Sequence, residues 1–235
     1  CAGTSTTLTA SSTIGTTPLS YVWSTGATTA AITVTPYATT SYSVTITDAN
    51  GCSATSLVTT VTVNQLPVVN AGNDATICNG ASTTLMATGA TNYVWSPATG
   101  LATTNTASVV ASPTATTTYT VTGTSGAGCI ATDQVVVTVN ALPTSSTISG
   151  QQAVCGGASG IVYTALPIPG ATSYSWTLPN GSTVGTVSNS ITINYQLSDV
   201  SGNLSVIVNN ACGAGPTSVI YPITIVAKPT LSSSL

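Results

Sequence analysis

Six cysteines carry the reactive chemistry of this chain, and their spacing is regular. Cys1 and Cys52 are 51 apart, Cys78 and Cys129 are 51 apart, and Cys155 and Cys212 are 57 apart. The first members of the pairs, Cys1, Cys78 and Cys155, follow one another at intervals of 77. An even number of cysteines at a fixed period predicts three tandem copies of one module, each closed by its own disulfide: Cys1–Cys52, Cys78–Cys129 and Cys155–Cys212. Partners this far apart lack the short spacing of zinc ligands. Cys1 has a second reading, as the lipidated first residue of a membrane-anchored lipoprotein, but its repeat position matches Cys78 and Cys155 and favours a disulfide. Paired cysteines imply an oxidising compartment, hence an exported, extracellular protein.

Little other chemistry is on offer. The charged residues are Asp48, Asp74, Asp133, Asp199 and Lys228, and His, Glu, Arg and Phe are absent. General acid–base catalysis draws on His, Glu, Asp, Lys, Tyr or Cys, and a Ser or Thr nucleophile here has no base to activate it. The expectation is a chain that is not an enzyme, with no catalytic residue, no metal and no cofactor. Asp48-Ala49-Asn50-Gly51 resembles part of a calcium loop, but one carboxylate is too few for that ion and an Asx-type turn accounts for the residues. One lysine cannot neutralise phosphates or an anionic bilayer, so nucleic acid and membrane insertion drop out as partners. Without histidine, stability is expected to be flat between about pH 5 and 9.

The elements that must hold the cysteines are strands. Thr and Ser supply 49 and 30 residues, and 42% of the chain is hydrophobic, which argues for a folded β protein rather than disorder. Each period carries Tyr-x-Trp: Tyr21 and Trp23, Tyr93 and Trp95, Tyr174 and Trp176. Tyr42 and Tyr119 stand ten residues ahead of Cys52 and Cys129, and Leu204 takes the comparable place in the third, more divergent copy. β-Branched runs leading to Pro67, Pro143 and Pro229 mark boundaries with almost no linker. The predicted architecture is all-β: three tandem sandwich modules arranged end to end, over residues 1–66, 67–142 and 143–228, with a tail at 229–235. Trp23, Trp95 and Trp176 are expected as core anchors, although exposed Tyr and Trp would suit a glycan- or protein-binding adhesin surface instead.

These residues resemble a known group of repeats. Cys1-Ala2-Gly3-Thr4-Ser5, Trp23-Ser24-Thr25-Gly26-Ala27, Thr40-Ser41-Tyr42-Ser43-Val44-Thr45 and Asp48-Ala49-Asn50-Gly51-Cys52 are similar to the Ig-like repeats of very large Bacteroidota cell-surface proteins associated with type IX secretion, gliding and adhesion. Residues 67–140 repeat that pattern. Val154-Cys155, Gly170-Ala171-Thr172-Ser173-Tyr174-Ser175-Trp176 and Asn210-Ala211-Cys212-Gly213 resemble the PKD-like repeats of the same proteins. The resemblance implies a structural repeat unit of an extracellular filament, stalk or adhesin, with copies of itself or adjoining repeats as partners and a surface glycan or protein as a further one.

The modules differ in phase at the ends. Cys1 is preceded by nothing that corresponds to the residues between Pro67 and Cys78, so the opening strand of module one is expected to be missing. Thr230, Leu231, Ser232, Ser233, Ser234 and Leu235 occupy the place where a following module would begin. They are expected to act in assembly, either as a strand donated to a neighbouring subunit or as the start of a further module in one long polypeptide.

Overall fold

The structure, a computed structural model, describes residues 1–229; the expected assembly segment Thr230–Leu235 lies outside the described residues. Every regular element among the described residues is a strand. The first module holds β1 (Thr6–Thr9), β2 (Ser20–Trp23), β3 (Ala31–Val34), β4 (Thr40–Tyr42), β5 (Val44–Thr47), β6 (Ser53–Thr55) and β7 (Thr59–Val61). The second holds β8 (Ala75–Cys78), β9 (Thr83–Met86), β10 (Asn92–Ser96), β11 (Ser108–Ala111), β12 (Thr117–Thr124) and β13 (Ile130–Asn140). The third holds β14 (Ile148–Ser149), β15 (Ala153–Cys155), β16 (Ile161–Ala165), β17 (Ser173–Thr177), β18 (Thr183–Thr186), β19 (Ser190–Ile193), β20 (Gly202–Asn210), β21 (Gly213–Thr217) and β22 (Tyr221–Val226).

All three modules are built on one pairing scheme. One sheet pairs β1 with β3, β9 with β11, and β16 with β19. The other pairs the tryptophan strand with the next long strand: β2 with β5, β10 with β12, and β17 with β20. The register repeats to the residue, with Trp23 opposite Val44, Trp95 opposite Val121, and Trp176 opposite Val206. Alternation then sends every second side chain inward. Trp23, Trp95 and Trp176 are 6%, 2% and 0% exposed, and Tyr42, Tyr119 and Leu204 are buried two residues before those valines.

The described chain divides into two compact units that do not follow the three repeats. One comprises Cys1–Ala75 and Ser82–Thr138, the other Thr76–Ala81 and the chain from Val139 onward. The short segment carrying Cys78 is thus grouped with module three.

The modules differ in how the edge of the first sheet is covered. In module three β14 lies beside β16, and Ser146, 1% exposed, donates its hydroxyl to Leu166 O at 2.9 Å. In module two Asn70 bridges Thr88, Ala71 is 1% exposed, and the chain passes so close to Gly89 that a Cβ there would meet Val68 O at 1.7 Å. In module one β1 pairs only with β3, and a groove of about 360 Å³ opens onto Leu8, Ala10, Trp23, Tyr42, Val44 and Ile46.

Candidate functional site

The cysteines do not close the modules. Cys1 is bonded to Cys129 and Cys78 to Cys212, while Cys52 and Cys155 are free and exposed. The expected pairs Cys1–Cys52, Cys78–Cys129 and Cys155–Cys212 are therefore corrected. The reason is the length of the last strand. Cys129 stands immediately before β13, which runs unbroken for 11 residues to Asn140, about 36 Å at 3.3 Å per residue. A disulfide requires Cα atoms within about 7 Å. In module two the second cysteine, Cys129, opens the last strand and the first, Cys78, docks at that strand's far end, so the two stand at its opposite ends.

Each first cysteine, here termed leading, sits in the same backbone socket. The residue after it donates its N–H to a carbonyl at or just beyond the end of the last strand: Ala2 to Asn64 O, Asn79 to Asn140 O and Gly156 to Val226 O, each at 2.9 Å. A tight turn follows, with Thr4, Ala81 and Ala158 donating to the carbonyls of Cys1, Cys78 and Cys155 at 3.0, 2.9 and 3.0 Å. The third residue of each turn is Gly3, Gly80 or Gly157, with φ of 73°, 86° and 81°, a left-handed conformation that only glycine adopts without strain.

Each second cysteine sits at a hairpin tip, its N–H held by a side chain just upstream. Cys52 donates to Asp48 Oδ1 at 2.9 Å, Cys129 to Ser125 Oγ at 3.1 Å, and Cys212 to Asn210 Oδ1 at 2.8 Å. Where leading and hairpin cysteines are joined, the hairpin sulfur lies 3.6 Å from the socket carbonyl, Cys129 against Asn64 O and Cys212 against Asn140 O. In both bonds a leading cysteine of one module meets the hairpin cysteine of the next.

Residues 141–223 match the PKD-like domain family. No curated protein matches the chain. Among solved structures, extracellular domains 3–5 of Drosophila OTK are similar at 12% identity and TM-score 0.40, covering 97% of this chain and 92% of that one. Titin domains A168–A170 are similar at 13% identity and TM-score 0.43, with 88% of each chain covered. Murine CEACAM1b is similar at 13% identity and TM-score 0.37, covering 64% of this chain and 96% of that one. The family match falls on the third module.

The remaining candidates are spent on structure. The indole N–H of Trp23 donates to Thr29 O at 2.8 Å, that of Trp95 to Thr106 O at 3.0 Å and that of Trp176 to Thr186 Oγ1 at 3.2 Å. Buried rings with occupied donors offer no face to a sugar. Of the tyrosines, Tyr37 stands out at 74% exposed. The Asp48 carboxylate accepts N–H groups from Thr16, Cys52 and Asn50, and these hold its pKa below the usual carboxylate range. Asp133 is lowered in the same way, chiefly by the Ala71 N–H at 2.8 Å. Burial raises the pKa of Tyr163 and Tyr195, whose hydroxyls meet at 2.9 Å, and of Tyr119. Among the described residues no group of three or more metal-ligating side chains gathers, and no helix is long and apolar enough to cross a membrane.

Proposed function

We propose that this chain is a non-catalytic structural repeat unit of an extracellular filament or adhesin stalk, assembling head to tail. The observation that carries the reading is that both disulfides bond one module to the next. Closing a module raises the stability of a small domain; bonding across a module boundary adds resistance to separation under load. A surface with 2% charged residues has little capacity for electrostatic recognition, and buried tryptophans leave the adhesin surface without its stacking platform. The resemblance to Bacteroidota surface repeats supports the same assignment.

Head-to-tail joining is supported by the groove of module one, lined by both hydroxyl and apolar side chains. An extended segment laid along β1 would add a strand to that sheet, and Thr230–Leu235 of a neighbouring copy, or an adjoining repeat of a longer chain, is the proposed occupant. Electron microscopy of the native material tests the reading. Filaments or stalks are expected, dissociating under denaturation and reduction if the units are separate subunits and remaining of high mass if they adjoin in one long polypeptide. Isolated particles with no tendency to associate would overturn it.

A further inference from the structure

We propose that the two disulfides make the chain a cleavage-tolerant tether: their loops overlap, so no single covalent break between Cys1 and Cys212 parts it. This property goes beyond the stalk role and holds whether or not copies assemble. Cys1–Cys129 closes a loop over residues 1–129, and Cys78–Cys212 closes one over residues 78–212. A backbone cut after any residue from 1 to 77 leaves the two pieces joined through Cys1–Cys129. A cut after any residue from 129 to 211 leaves them joined through Cys78–Cys212, and a cut from 78 to 128 is spanned by both bonds. Reducing either bond alone leaves the backbone whole. Severing the chain therefore takes two breaks, and three in the stretch from Cys78 to Cys129.

The overlap matters most at the module boundaries, where the backbone is open to attack. Proteases take exposed chain that lies outside regular elements, because it can leave the fold at little cost. No strand intervenes between the end of β7 at Val61 and the start of β8 at Ala75, and Val68 in that stretch is 85% exposed. A second such stretch runs from the end of β13 at Asn140 to the start of β14 at Ile148, where Leu142 is 53% exposed. Bonds confined within modules, Cys1–Cys52, Cys78–Cys129 and Cys155–Cys212, would leave both stretches outside every loop, and one cut there would part the chain. The observed pairing puts the first stretch under Cys1–Cys129 and the second under Cys78–Cys212.

Composition points the same way. Lys228 is the single basic residue of the chain and precedes Pro229, and Glu is absent. Trypsin, which cuts after Lys or Arg but not before proline, finds no site. What is left to proteases is attack at small and apolar residues such as Val68 and Ala141, on the two stretches that the bonds span.

The test gives trypsin one site at a time in the whole oxidised chain, with free thiols alkylated so that no bond exchanges. Gln65→Arg, Ala127→Arg, Thr144→Arg and Val219→Arg each place the site at an exposed position that no proline follows. Complete cutting is read on a reducing denaturing gel as two fragments. Without reductant, the first three cut chains are expected to run as one species of about 23.1 kDa. Position 219 lies beyond Cys212, so that cut should release residues 220–235 with or without reductant. Adding Cys129→Ser to the Gln65→Arg chain, and Cys212→Ser to the Thr144→Arg chain, should let each pair of fragments part. Separation at position 65, 127 or 144 with all cysteines in place would overturn the proposal, and pairing within modules predicts it at 65 and 144. Fragments still joined after the serine change would do so too, because some other bond would then hold them. A chain that forms no filaments leaves this readout untouched, so the two readings fail separately.

Discussion

Replacing Cys1 and Cys129 together by serine removes one bond that spans 128 residues. The chain-entropy relation gives about 5 kcal/mol for a loop of that length, an upper figure because residual structure in the unfolded chain lowers it. That sum is not placed in either module alone. Unfolding module one by itself leaves module two folded and the effective loop short, so the full stabilisation acts only when both modules open. The oxidised parent is therefore expected to lose modules one and two in a single urea transition. The variant should lose them separately, each at lower urea, while module three is unchanged. Trp23, Trp95 and Trp176 lie one to a module, so fluorescence of variants retaining a single tryptophan reports each module by itself. A thiol titration in denaturant without reductant is the companion measurement. The monomeric parent should show two thiols, Cys52 and Cys155, and the double-serine variant should show the same two. Disulfides confined within modules would give none in the parent, and that result would refute the reasoning.

Two further outcomes follow from the cores. Trp176→Ala removes a fully buried ring that packs with Tyr163, Leu204 and Val206, and should destabilise module three by about 3–5 kcal/mol in the same urea assay. Stability should be level from about pH 5 to 9, since no histidine is present. Below that window Asp48 and Asp133 matter: their folded pKa values lie below the unfolded value of about 3.9, so their contribution is complete above about pH 4 and fades as pH falls through the folded values. Above it the tyrosines matter. Burial raises Tyr163 and Tyr195 above the unfolded value of about 10, so their contribution is complete below about pH 10 and is lost as pH climbs beyond it, in module three. Melting temperature followed from pH 2 to 12 checks both arms, and a midpoint shift centred near neutrality would contradict them.

The three-module β organisation could be read from the residues because it depends on local pattern. Alternation around Tyr-x-Trp, β-branched runs, and turn residues such as Asp48, Asn50 and Gly51 all act within a few positions. The tertiary structure places those same residues in repeating register against Val44, Val121 and Val206. The partner of each cysteine is different in kind. A spacing of 51 and a spacing of 128 differ by one 77-residue period, so bonding within a module and bonding to the next fall on the same phase of the sequence. A signal was nonetheless present: Cys52 follows an Asn-Gly turn, which places it at a hairpin tip.

The sequence by itself determined an all-β chain of three repeats, with almost no charge and a tryptophan at a fixed place in each. Only the tertiary structure decided which sulfurs meet. Strand formation depends on neighbours two residues apart, and the one-dimensional pattern records it directly. Disulfide partners depend on which ends of different sandwiches come within about 7 Å of each other, and a periodic sequence leaves that choice open by whole periods.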